Sequence, residues 1–142
     1  EIFTTKLRKV LTAYKGNLLL SGAYIGSEMF GKEDKAFTSE VLHYSGSADK
    51  ASKTGEIRML KPFANLEAQL VMDLNDKVLP CESPDGLNPT NGAVRIARYG
   101  DSRIGAGVAF EGDNKQLIFG FALESLEDFD TLYQACVNWL TK

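Results

Sequence analysis

The residues best suited to chemistry gather in one segment, Asn17 to Phe30, which reads NLLLSGAYIGSEMF. Ser21 and Ser27 supply hydroxyls, Glu28 a carboxylate and Tyr24 an aromatic face. A serine at a strand end, with small neighbours, is the setting of a nucleophile elbow, where the hydroxyl projects from a tight strand-to-helix turn. The G-x-S-x-G signature itself is absent, and Ser-Gly-Ala-Tyr-Ile-Gly-Ser stands in its place. A serine nucleophile also needs a base. His43 is the one histidine and lies in Val41-Leu42-His43-Tyr44, near a helix end, where histidine more commonly caps or packs. One expectation is therefore a hydrolase of amide, ester or glycosidic bonds, with Ser27 or Ser21 as nucleophile and His43 or Glu28 as partner.

Other chemistries find less support. Gly22 and Gly26 would let backbone N–H groups face an anion, but their spacing fits neither G-x-G-x-x-G nor a Walker A loop, and Glu28 repels phosphate. Turn geometry and close packing are the stronger reading of both glycines. Glu28 and Glu124 each follow an expected strand end, and face one another as a glycosidase pair if those strands are neighbours. Asp73, Asn75 and Asp76 alternate like part of a calcium loop but lack its glycine and distal glutamate. Neither a metal nor a cofactor is expected. Of Tyr24, Tyr44, Tyr99 and Trp139, the aromatics available for a sugar platform, Trp139 sits beside Leu140 and reads as core. Tyr24 is the better ligand contact, with Glu28 and Glu124 beside it.

The elements that must position these side chains follow from periodicity. Ile2, Phe3, Leu7, Val10, Leu11 and Tyr14 recur at helical spacing and stop before Gly16. Leu18–Ser21 is a short buried strand, and ligands gather at the carboxyl ends of strands in open α/β sheets. Ala36, Phe37, Val41, Leu42 and Tyr44 mark a short helix, and Ser45–Gly55 is a Ser-, Lys- and Gly-rich loop. From Glu56 the period falls to two. Strands are expected at Ile57–Leu60, Ala68–Leu74, Val94–Tyr99, Ile104–Phe110 and Gln116–Phe121, the last three as an antiparallel meander. Glu82–Gly92, with two prolines and two glycines, is a long loop. Ser125 is the expected N-cap of a closing helix, with Asp128 at its third position. The first and last strands form the expected parallel centre.

The 142 residues suit one domain, residues 1–142, and 44% hydrophobic content supplies a core. A net charge of −3 argues against a nucleic-acid surface, and no apolar run reaches the roughly 18 residues a membrane span needs. Cys81 and Cys136 lack metal-ligand spacing. Cys136 falls on an apolar helix face, and two cysteines leave both pairing and free thiols open. The chain opens at Glu1, almost directly in a helix, whereas a doubly wound sheet starts with a strand. The expectation is a fragment of a larger chain, one or two βα units short, whose exposed apolar edge favours self-association.

NLLLSGAYIGSEMF, AFTSEVLHY, SKTGEI, VRIARYGDSRIGAGVAF and QLIFGFALESL together resemble a domain of large extracytoplasmic Bacteroidetes proteins described as xanthan lyase-like or golvesin-domain proteins. The resemblance spans nearly the whole chain. It implies a class I glutamine amidotransferase-like, flavodoxin-like α/β unit, three-layered, with a strand and helix preceding Glu1. It also implies an extracytoplasmic location (secreted, periplasmic or cell envelope), with polysaccharide or other domains of the same parent chain as partners. It brings no catalytic residue, since the Gly-x-Cys-x-Gly elbow of true class I amidotransferases matches neither cysteine. The leading expectation is a non-catalytic accessory or binding module whose ligand meets Tyr24, Glu28 and Glu124.

Overall fold

Alternation along the final strand organises the molecule. Leu117 and Phe119 point into one apolar cluster and Ile118 into the other, so the sheet has a packed face on each side. The computed structural model describes residues 2–27 and 32–142, with residues 32 and 33 described by their backbone. Among these residues the chain is a mixed α/β domain with three helices and eight strands. The elements are α1 (Thr5–Ala13), β1 (Leu18–Ser21), α2 (Lys32–Glu40), β2 (Tyr44–Ala48), β3 (Glu56–Met59), β4 (Glu67–Gln69), β5 (Gly86–Pro89), β6 (Val94–Tyr99), β7 (Gly105–Glu111), β8 (Lys115–Phe119) and α3 (Phe129–Thr141). A 3-10 turn, Leu123–Ser125, precedes α3.

Six strands form one sheet in the order β1-β8-β7-β6-β3-β4, and β2 pairs with β5 in a separate ribbon. The meander β6-β7-β8 is antiparallel, as the turn signals predict. β1 and β8 are parallel, with Leu18 opposite Gln116 and Ser21 opposite Phe119. They do not form the centre of the sheet, however, because β1 is its border. α3 buries Leu132, Cys136 and Leu140 against Phe119, Phe121 and Ile96 on one side. Phe3, Phe37, Leu42, Tyr44 and Leu87 cover Val108 and Ile118 on the other.

Several expected boundaries move. The helix expected over Ala36–Tyr44 ends at Glu40, and Tyr44 begins a strand that continues into the expected loop. Its partner β5 lies inside the other expected loop, Glu82–Gly92. Neither SGS nor GLNP has an apolar period, because this ribbon is stabilised by its approach to the sheet: an added Cβ at Gly105 would overlap the Leu87 carbonyl. The strand expected over Ala68–Leu74 shrinks to Glu67–Gln69. Ser125 is buried in the 3-10 turn, and the N-cap of α3 is Asp128, which accepts the Thr131 N–H at 3.2 Å and its hydroxyl at 2.6 Å. Asp-x-x-Thr closes the cap locally, so the helix starts three residues later than Ser125 would place it.

One surface carboxylate pins the 49–55 loop to the β6–β7 turn. Asp101 accepts the Ser52 hydroxyl at 2.8 Å and the N–H groups of Lys53 at 2.8 Å and Thr54 at 3.2 Å. Desolvation opposes its charge, but these bonds and one from the Ser102 N–H outweigh it and lower the carboxyl to about 2. A depressed folded value gives stability that is complete above the unfolded carboxyl value of about 3.9 and disappears as pH falls through about 2. Asp101→Ala should therefore lower the urea midpoint at neutral pH and have a much smaller effect near pH 2, read by denaturation followed with circular dichroism.

Candidate functional site

The parallel pair brings two chain exits together. After β1 the chain turns through residues 22–27, and after β8 it passes through Gly120 and Phe121 into the 3-10 turn. The Leu123 N–H donates to Ser21 Oγ at 3.3 Å, tying the two exits. Tyr24, half-buried, occupies the turn with φ at 67°, a left-handed conformation that a non-glycine residue rarely adopts. The Ile25 carbonyl accepts the hydroxyl of Tyr44 at 2.7 Å, so β2 holds the turn from below.

Beneath the turn lies a residue the sequence reading did not single out. Asp85 is fully buried at the head of β5. Its Oδ2 accepts the Gly26 N–H at 3.1 Å and the Ser27 hydroxyl at 2.8 Å. Its Oδ1 lies 2.7 Å from Ser83 Oγ, which is itself 2.9 Å from Oδ1 of the exposed Asp49. The Asp85 N–H donates to the Gly120 carbonyl at 2.7 Å, and the Tyr99 hydroxyl donates to the Asp85 carbonyl at 2.7 Å. The contact is close because glycines permit it: a Cβ on Gly26 would stand 2.7 Å from the Gly86 carbonyl oxygen. Burial raises the Asp85 carboxyl above its ordinary value; hydrogen bonds with Ser83, Ser27 and Gly26 pull it back, and the Asp49 charge pushes it up again. Burial, with the nearby carboxyl, also raises the phenols of Tyr44 and Tyr99.

The expected site residues divide accordingly. Ser27 turns inward to Asp85, and Ser21 accepts from the backbone. His43 belongs to the other end of the β2–β5 ribbon. Its Nδ1 lies 3.0 Å from the Asn91 carbonyl, and its ring stacks on Phe110 with centroids 3.6 Å apart. Tyr44 to Ala48 spans roughly 13 Å of strand at about 3.3 Å per residue, and Ala48 pairs with Gly86 beside Asp85. Among the described residues no hydrogen bond joins His43 to either serine, so the serine–histidine pairing is not assembled. Glu28 lies outside the described residues. Glu124 is exposed on the 3-10 turn, one link from Ser21 through Leu123. The strand ends that precede Glu28 and Glu124 are indeed neighbours.

The aromatic platform does not form as a unit. Tyr44 and Tyr99 are fully buried, each donating to a carbonyl. Trp139 is half-buried against Phe63, with the Lys115 ammonium 5.1 Å from its ring centroid. Both cysteines are free and buried, and desolvation pushes their thiols up to about 11 for Cys81 and about 12 for Cys136. Asn75 Oδ1 accepts two N–H groups of its own turn, from Lys77 and Val78. Among the described residues no group of three or more His, Cys, Asp or Glu side chains converges on a metal position. A groove of 730 Å³ runs along the β3–β4 border, lined by Glu56, Arg58, Asn65, Glu67, Gln69 and Asp128. It is polar and open.

Asp85, Ser83 and Asp49 escaped notice because S-P-D-G reads as a surface turn. The one available signal was the pair of glycine-bearing turns, since the Gly26 N–H does face an acceptor, the protein's own Asp85 carboxyl. In comparisons with known proteins the chain matches no family model, no curated relative and no solved structure.

Tyr99→Phe removes the phenol donor from a buried carbonyl while conserving the ring that packs on Phe121. An abandoned buried acceptor costs about 1–3 kcal/mol. Thermal and urea denaturation of this variant should show that loss, and Tyr133→Phe, on an exposed ring, should show nearly none.

Proposed function

We propose that this domain is a non-catalytic accessory or binding module of a secreted or cell-envelope protein, working on or beside polysaccharide. The observation that carries the reading is the direction of the strand-end hydroxyls. Ser27 donates to a buried carboxyl and Ser21 accepts a backbone N–H. Both fasten the turn, while the histidine is occupied at the opposite end of the ribbon. A nucleophile's hydroxyl must reach a substrate as well as a base, and the Ser27 hydroxyl is turned inward to the buried Asp85 carboxyl, which is already shared with two other partners.

At the same end stand the half-buried Tyr24 and the exposed Glu124, on exits tied together through Ser21 and Leu123. An aromatic face with an acceptor beside it suits a sugar ring, whose C–H face packs on the aromatic while its hydroxyls donate to the carboxylate. The extracytoplasmic setting rests on the resemblance carried by the Ser-Gly-Ala-Tyr-Ile-Gly-Ser and Gly-Phe-Ala-Leu-Glu-Ser motifs. The same proposal includes a three-layer, flavodoxin-like unit that sits beside a further βα element of its parent protein. In its support, β1 borders the sheet, and Leu7 and Val10 of α1 and its C-cap residue Tyr14 are exposed. A second reading, glycosidic hydrolysis by Glu28 and Glu124, draws on the adjacency of the strand ends that precede them.

A glycan array probed with the 142-residue chain tests both. Binding should fall at least about tenfold, roughly 1.4 kcal/mol, in Tyr24→Ala and in Glu124→Ala, with no reducing ends released from the bound glycan and no labelling of Ser27 by a fluorophosphonate. Binding that survives both substitutions removes those residues from the site. Release of reducing ends favours the hydrolase.

A further inference from the structure

The Ser83 hydroxyl is within hydrogen-bond distance of two carboxyl oxygens, Asp85 Oδ1 at 2.7 Å and Asp49 Oδ1 at 2.9 Å. A hydroxyl has a single proton to donate, and an ionised carboxylate has none. With both acids ionised, one of these contacts would set lone pairs against lone pairs, and in a buried site such an unsatisfied contact is costly. We propose that Asp85, Ser83 and Asp49 form a proton-binding site: a proton held on Asp85 Oδ1 closes the turn that follows β1, and it reaches solvent through Ser83 and Asp49.

With the proton in place every group is satisfied. Asp85 Oδ1–H donates to Ser83 Oγ, and Ser83 Oγ–H donates to Asp49 Oδ1. Asp85 Oδ2 stays free to accept the Gly26 N–H and the Ser27 hydroxyl. The proton belongs on Asp85 and not on Asp49 because Asp85 is fully buried while Asp49 is exposed, and burial penalises the charged form. The surroundings agree. Residues 22–27 carry no charged side chain. Tyr44 from β2 and Tyr99 from β6 are neutral phenols spent on backbone carbonyls. Cys81 and Glu82 precede the loop, one a buried thiol and the other an exposed acid. Arg95, on the strand beside the ribbon, is exposed and donates to Asn88, and Lys50 next to Asp49 is exposed. The groups that shift Asp85 upward are burial and a second carboxylate, with no cation among them.

Loss of the proton is a balanced relay. The Asp85 proton passes to Ser83 Oγ as the Ser83 proton passes to Asp49 Oδ1, and water then takes the proton from Asp49. Ser83 ends with its single proton, Asp85 ends as a carboxylate, and Asp49 returns to one. Two carboxylates then compete for one hydroxyl, which loosens the join between the turn and the loops carrying Ser83 and Asp49. Because the folded value of Asp85 is raised, the stability this site gives is complete below the ordinary carboxyl value and declines as pH rises through the raised one. The device operates whether or not the turn binds a saccharide.

Carboxyl carbon NMR titration of the aspartates in the full 142-residue chain tests the proposal. Asp85 Cγ should be the last aspartate signal to leave its protonated position as pH rises, and Asp49→Asn should shift that midpoint downward by removing the facing charge. Asp85→Asn, whose amide donates to Ser83 and accepts from Gly26 and Ser27 as the protonated acid does, should fold with undiminished stability and lose the wild-type decline. An Asp85 Cγ that titrates with or before the exposed aspartates overturns the proposal in the wild type alone. So does an Asp85→Asn variant destabilised equally at every pH.

Discussion

A carboxyl group placed in a protein interior without a cation must be met by hydrogen-bond donors or give up its charge. Asp85 is such a group, and most of the architecture around the strand ends follows from meeting it. Donors have to arrive from chain segments far apart in sequence: Gly26 and Ser27 are 59 and 58 residues away, and Ser83 is two. The turn after β1 must therefore close down onto the head of β5. The β2–β5 ribbon must lie against the sheet, which the absence of a side chain at Gly105 and Gly26 permits. Tyr99 and Gly120 fix the backbone of the same residue from the sheet side. A residue held by its carboxyl, its N–H and its carbonyl at once has nowhere to move.

That constraint also orients the reading of function. In α/β enzymes the strand-end turn presents its hydroxyls and N–H groups outward, to a substrate. Here the carboxyl that the Gly26 N–H and the Ser27 hydroxyl face is internal, so their capacity is spent on cohesion. The two chain exits, which carry Tyr24 and Glu124, are tied by the bond from the Leu123 N–H to Ser21 as well as by the pairing of their strands. A surface of this kind suits recognition, in which a rigid scaffold presents a few side chains in fixed positions.

The parts of the fold legible in the sequence were those with their own local period. β1 and β6 have the bounds their apolar patterns predict, and the meander follows from Gly100-Asp101 and Gly112-Asp113-Asn114. The β2–β5 ribbon was not legible, because Ser45-Gly46-Ser47 and Gly86-Leu87-Asn88-Pro89 carry loop composition and become strands only through what they lie against. Ser125 was the expected cap with Asp128 inside the helix, whereas Asp128 caps it through Thr131 and Leu126 is buried before the helix begins. Asp85 was the least visible of all. Nothing local distinguishes a Pro-Asp-Gly that turns at the surface from one that is buried under a distant turn. The adjacent ends of the parallel strands were legible in the sequence, whereas the residues that turn inward beneath them were not.

Amide hydrogen exchange at Gly26 tests the central claim most directly. This N–H lies in a turn outside any strand or helix, and its only described acceptor is the Asp85 carboxyl. If that carboxyl is the pin on which the turn depends, the Gly26 amide should exchange as slowly as the Ile118 amide in the buried strand β8, through global unfolding alone. It should lose most of that protection in Asp85→Ala while Ile118 in the same variant follows the overall stability. A Gly26 amide that exchanges in the native protein at the rate of an unprotected turn would contradict the account.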